Sequence, residues 1–112
     1  RNPVALGGDI HAFAASNLHR LPEDLSSPIV ATELVTTSIS SEGTPVSLLE
    51  SHKRSNPAML FGDPRYRGWL RLDLGAARID ASMMALDDPY AVDSAARSLA
   101  NFVVEDGRPG LQ

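Results

Sequence analysis

A chain of 112 residues, 43% hydrophobic and 21% charged, has room for one modest domain with a buried core, and that apolar share excludes wholesale disorder. A formal net charge of −4, with Lys and Arg scattered, excludes a basic footprint for nucleic acid. With no Cys, disulfides, thiolate zinc sites and a Cys nucleophile are excluded within the chain; no apolar run reaches the length of a membrane span, and no signal-peptide pattern is visible in these residues.

The opening run Val4–Leu6, bounded by Pro3 and by Gly7-Gly8, predicts a central strand running into a tight loop. Asp9 and His11 follow at once, two residues apart. In extended backbone both side chains would point the same way, and a carboxylate with a neutral imidazole makes a sound ligand pair for a divalent or trivalent metal. The two glycines would let the backbone approach an ion or a phosphate closely. In the competing reading Asp9 caps a short helix and His11 lies in its first turn; spacing alone favours the cap. The stretch HAFAASNLHRL (11–21) has the Ala-rich character of a short helix or turn, and 21–28, with Pro22, Ser26, Ser27 and Pro28, reads as loop. His19 and His52 read as surface residues.

The β-branched run IVATELVTTSI (29–39) predicts the second strand. Alternation sets Ile29, Ala31, Glu33, Val35 and Thr37 on one face, and Val30, Thr32, Leu34, Thr36 and Ser38 on the other. Glu33 among small and apolar neighbours is either a buried ligand, an acceptor behind one, or a strand residue facing solvent. The hydroxyls of Thr36, Thr37, Ser38, Ser40 and Ser41 fill a turn in the simpler reading and donate to phosphate oxygens in the sharper one. No Gly-x-Ser-x-Gly nucleophile motif is present.

After the turn-rich SSEGTPV, the stretch VSLLESHKRSN (46–56) predicts a helix ended by Pro57, with His52, Lys53 and Arg54 as a solvated cationic end. AMLF then reads as a short strand and GDPRYRG as a loop. WLRLDL alternates, with Leu70, Leu72 and Leu74 opposite Trp69, Arg71 and Asp73, and RIDASMMAL (78–86) follows the turn GAA as its hairpin partner. The loop FGDPRYRGW reads as a solvated hairpin with an aromatic lid; an anion-contacting rim of Arg65, Tyr66, Arg67 and Trp69 is the sharper alternative. A polar linker precedes the last strand, LANFVVE (99–105). The pattern of strand, short helix, strand, helix and mostly antiparallel meander predicts an α+β fold or a mixed α/β sheet. The start RNPVALGG already reads as buried strand while DGRPGLQ tapers, an asymmetry that predicts the C-terminal part of a larger protein.

Four ordered blocks carry a resemblance: NPVALGGDIHAFAASNL, PIVATELVTTSISSEG, NPAMLFGDPRYRGWLRLDL and SLANFVVEDGRPG. In order, spacing and content they resemble the C-terminal portion of the alkaline phosphatase D (PhoD-like) family of metallophosphoesterases, over nearly the whole chain from Asn2 to Gly110. The resemblance implies the β-rich C-terminal half of a four-layer αββα sandwich, with one or two short helices and residues 1–112 as one segment. It implies hydrolysis of phosphate mono- and diesters at a multinuclear centre of iron (Fe3+) with calcium (Ca2+), where metal-activated water or hydroxide attacks phosphorus. By the same resemblance Asp9 matches a metal-ligating aspartate. His11 matches its partner histidine, at the metal or beside the phosphate, and Glu33 falls where a further acidic ligand is expected. The family's other ligands, a cysteine and a tyrosine among them, lie before the position of Arg1, so the segment alone is expected to be inactive, with the N-terminal part as its partner. Export to a secreted or periplasmic location is implied as well. The alternative is a non-catalytic β-rich module that forms homo-oligomers through exposed sheet edges.

Overall fold

Alternating hydrophobic patterns set two sheets face to face, and the computed structural model describes them over residues 2–112. Arg1, where the predicted segment begins, lies outside the described residues. The strands are β1 (Val4–Gly7), β2 (Phe13–His19), β3 (Ile29–Val35), β4 (Met59–Asp63), β5 (Gly68–Leu74), β6 (Arg78–Leu86) and β7 (Ala96–Glu105), with one helix, α1 (Val46–Ser55), between β3 and β4. The first sheet has the order β1-β3-β2-β4, with β1 parallel to β3 and β2 antiparallel to both its neighbours. The second is the antiparallel meander β5-β6-β7. The result is the expected β-rich fold with a single short helix.

The core lies between the sheets. Phe13, Ala15 and Leu34 from the first meet Ala81 and Met83 from the second, all almost fully buried. Phe61 and Phe102 meet edge to face across the gap, with ring centroids 5.9 Å apart. Alternation accounts for both faces of the first sheet. Leu34 points into the core, whereas Ala14, Ser16, Glu33 and Val35 face outward toward α1. The helix buries only Leu49. It packs on β4, where a Cβ at Gly62 would already touch Leu49 and Lys53. Its cationic last turn, His52, Lys53 and Arg54, is as predicted. No helix among the described residues is long and apolar enough to cross a membrane.

Four expectations are corrected. The Ala-rich stretch at 11–21 is strand β2, not helix or turn. It is hydrogen-bonded on both sides, and its alanines are the size that a strand buried on both faces can accommodate; tertiary pairing overrides the helix preference of Ala. The strand expected to run to Ile39 ends at Val35, because residues 36–41 leave the sheet for a loop network described below. β4 joins the first sheet instead of the meander and takes in Gly62 and Asp63, so residues 64–67 are a crossover between sheets and not a hairpin loop. The last strand starts at Ala96, three residues earlier than expected.

One buried side chain sits badly. Thr32, 2% exposed on the core side of β3, has a hydroxyl with no hydrogen-bond partner among the described residues. Replacing it with the isosteric Val removes a desolvated polar atom and keeps the volume. Thr32→Val is therefore expected to stabilise the protein by about 1 kcal/mol, whereas Phe13→Ala is expected to destabilise it by about 3–5 kcal/mol. Urea unfolding midpoints check both signs; a destabilising Thr32→Val would show that the hydroxyl is satisfied in solution.

Candidate functional site

β1 ends at Gly7, and the chain then turns sharply. Asp9 has φ +73° and His11 has φ +53°, two left-handed residues within three positions. The Ile10 N–H donates to the Gly8 carbonyl at 2.9 Å, which closes a three-residue γ-turn with Asp9 at its apex. Asp and His tolerate this region better than most residues, but each such position still costs about 1–3 kcal/mol and persists only where the surroundings over-determine it. The backbone here is neither extended nor helical, and strand β2 follows. The two-residue alternation argument for Asp9 and His11 therefore fails, and so does the helix cap.

The surroundings that hold the turn are visible. The Thr44 hydroxyl donates to the Ile10 carbonyl, and the Thr44 N–H donates to the His11 carbonyl at 3.3 Å. The His11 imidazole meets the Glu42 carbonyl through Nδ1 at 2.8 Å. A carbonyl can only accept, so Nδ1 carries the proton, and in the neutral ring it is Nε2 that presents a lone pair. That is the arrangement in which a histidine ligates a metal or accepts from a substrate while its other nitrogen is anchored.

Arg67 ties these pieces together. The residue is buried, at 6% exposure, and its guanidinium donates to four oxygens: Ser41 O at 2.7 Å, Pro64 O at 2.6 Å, His11 O at 3.3 Å and the Ser38 hydroxyl. Burial pulls its pKa below the ordinary guanidinium value, with Tyr90 acting in the opposite direction. Gly43 belongs to the same knot. A Cβ there would overlap the Pro64 carbonyl and lie 2.7 Å from Arg67 Nη2, so no other residue fits. The Thr37 hydroxyl donates to the Tyr66 carbonyl at 3.0 Å, and Ser38 to Ser41 O at 2.7 Å. Thr37 and Ser38 are thus consumed in building the turn.

Arg65 and Tyr66 are structural in the same way. Arg65 doubly pairs with the buried Asp63, with Nη2 at 2.6 Å from Oδ2 and Nε at 3.0 Å from Oδ1. Its guanidinium and that of Arg97 lie over the Tyr66 ring, at 5.4 and 4.9 Å from the centroid. The loop is not the solvated hairpin expected of it. Sequence reasoning named Arg67 only as a rim residue for an anion, where the structure directs its donors to four oxygens of the protein, and it missed Gly43 and the Glu42 carbonyl. Nothing in PRYRG distinguishes a buried Arg67 from an exposed Arg65, and a backbone carbonyl leaves no side-chain signal.

Glu33 stands apart from the loop. It sits mid-strand between Ala5 and Ser16 and lines a cavity of about 480 Å3 beneath α1, with Leu48, His52 and Met59. Gly8 and Ile10 border that cavity, but Asp9 and His11 do not line it. His19 clips the 20–28 loop: its Nδ1 lies 2.8 Å from the Ser27 carbonyl. Among the described residues no three His, Asp or Glu side chains come together as a metal-holding group. Asp9 and the free Nε2 of His11 are of the residue types that ligate metals, but two such groups do not by themselves make a metal site.

Three comparisons agree. The model of the PhoD-like phosphatase family matches residues 1–83. Alkaline phosphatase D of Bacillus subtilis (strain 168) is 32% identical over 114 residues, which takes in 99% of this chain and 19% of the relative. A solved structure of PhoD superposes with a TM-score of 0.85 at 32% identity, over 97% of this chain and 21% of the other. The chain thus spans about one-fifth of the length of the relatives it matches.

The buried Asp63 has a readable pH signature. Burial pushes its carboxyl up, but the Arg65 side-chain and backbone hydrogen bonds, with the charges of Arg65 and Lys53, outweigh it and hold the pKa below the ordinary carboxylate value. A depressed folded pKa contributes stability that is complete above the unfolded pKa of about 4 and is lost as pH falls through the folded value. Asp63→Asn should cost on the order of 1–2 kcal/mol at pH 7. The gap should close between about pH 5 and pH 2, as followed by urea unfolding; a gap that stays constant across that range contradicts the assignment.

Proposed function

The chain belongs to the PhoD-like phosphatase family, and on that premise we propose that it forms the C-terminal part of a metal-dependent phosphoester hydrolase whose site is completed by residues outside it. The observation that carries this reading is the strained loop after β1. It anchors His11 through Nδ1, leaves Nε2 free, and lifts the Asp9 carboxylate to the apex of a turn. The sequence pattern predicts a central strand at β1, which is instead an edge strand paired in parallel with β3 alone. Strained left-handed residues just beyond the C-terminal end of such a strand still lie where α/β sheets place their chemistry.

Asp9 would hold a cation, and His11 would either ligate beside it or balance charge on the phosphoryl oxygens as it develops. Cations of the family's calcium and iron kinds, when bound, would supply Lewis acidity toward those oxygens. The loop's own contribution is preorganisation. The imidazole does not have to choose its tautomer or rotate at the moment of reaction, because the Glu42 carbonyl already fixes both. Phosphate mono- and diesters are the proposed substrates, and a secreted or periplasmic setting goes with the family.

The sheet edges fit this partial role. β1 and β5 each pair on one side only, and both contribute to one groove of about 470 Å3 lined by Leu6, Ile39, Trp69 and Leu72 among others. Leu6 is 61% and Ile39 74% exposed. Such edges are completed by further strands or helices of a longer chain, or in the second reading by another copy of this one.

In the intact protein, Asp9→Asn and His11→Ala are each expected to lower phosphodiester turnover on the order of a hundredfold. Asp9→Asn should also lower the metal content measured by elemental analysis. Ordinary turnover and metal content in both variants would contradict the proposal.

A further inference from the structure

We propose that Arg67 is a positioning residue for His11: its buried guanidinium sets the tautomer and direction of the imidazole by pinning both sides of the Glu42 carbonyl. The inference rests on the reading of His11 as a functional group. It concerns a residue 56 positions away in sequence.

The geometry carries it in three steps. First, the acceptor that selects the Nδ1–H form of His11 is the Glu42 carbonyl. Nothing in Glu42 itself holds that carbonyl in place; its neighbours do. Ser41 is held through its own carbonyl at 2.7 Å from Arg67 Nη1, and Gly43 is packed against Arg67 Nη2 and Pro64 O. Second, Arg67 reaches the backbone of His11 directly, through Nη2 to the His11 carbonyl at 3.3 Å. The same side chain therefore fixes the base of the imidazole and the acceptor at its tip. Third, both ends need fixing, because His11 has φ +53° and would relax if released.

A guanidinium suits this place and an ammonium does not. Four acceptors from three segments converge on two terminal nitrogens: His11, Ser38 with Ser41, and Pro64. A planar fork can serve them together. Lysine brings three donors to a single point and cannot span them. The group also stands without a carboxylate among these partners. An acid there would draw the guanidinium out of its backbone contacts, and it is the backbone that must be held.

The test uses the intact protein with 15N-labelled histidine, at a temperature where all variants are folded. His11→Ala first identifies the His11 signals and establishes whether His11 matters. If turnover is unchanged in His11→Ala, the functional reading of the site fails, and this inference fails with it. If turnover is lost, Arg67→Lys decides the inference separately. Expected is a loss in kcat on the order of tenfold with KM little changed, and a shift of the His11 nitrogen signals from the Nδ1–H form toward the Nε2–H form. Ser38→Ala, which removes one of the four acceptors and keeps the guanidinium, should move both readouts the same way by less, and it serves if Arg67→Lys does not fold. Variants that are less stable but keep the His11 tautomer and the per-folded-molecule kcat would overturn the proposal, because a purely structural Arg67 would affect only the folded fraction.

Discussion

The structure depends on one buried cation held by backbone. Arginine is almost never fully buried unless its donors are met, and Arg67 meets them with three carbonyls and a hydroxyl instead of an acid. Those four oxygens come from the loop after β1, the loop after β3 and the crossover between the two sheets. Without Arg67 the three loops would meet carbonyl to carbonyl, a mutually repulsive arrangement. With it they close into a knot at the end of the central strands, where the candidate chemistry lies. Arg67 also binds the sheets together beyond side-chain packing. Its own carbonyl accepts from the Leu86 N–H at 2.8 Å, and the Gly68 N–H donates to Ser38 O at 3.2 Å, so the second sheet is tied to the loop of the first.

The sandwich supplies the platform. β2 is central, buried on both faces, and tolerates this because its inward and outward residues are small: Ala14 and Ser16 toward the helix, Ala15 toward the core, with Phe13 filling the space between sheets. A platform this firm can hold Asp9 and His11 in left-handed backbone. The same platform has unfinished margins. The open edges of β1 and β5 and the uncovered Leu6 and Ile39 lie beside the candidate loop. On the proposed reading, further chain packed at these margins would complete the sheets; the matched relative is about five times as long as this chain.

Legibility in the sequence followed periodicity. β5 and β6 were readable because Leu70 and Leu72 alternate with Trp69 and Arg71, and because Gly75 marks their turn; α1 was readable from its cationic end and Pro57. β2 was not, because alanine prefers helix locally and only the two neighbouring strands reveal the burial that reverses the preference. Glu33 was placed on the correct face by alternation, yet its company, a cavity under α1, required the crossover of the helix to be known. At the site, the residue types Asp9 and His11 were visible and the family resemblance ranked them. Their geometry was not visible: a γ-turn held from residues 42–44 and 67 is a long-range construction, and the acceptor that orients His11 is a carbonyl that every residue possesses.

The most direct measurement is a crystal structure of the intact protein at a resolution that orients the His11 ring. The account predicts Nδ1 within hydrogen-bond distance of the Glu42 carbonyl, Arg67 buried on the same four oxygens, and Nε2 turned toward donors or ligands supplied from outside this chain. A His11 ring flipped so that Nε2 meets the carbonyl, or an Arg67 drawn away to pair with a carboxylate, would contradict it.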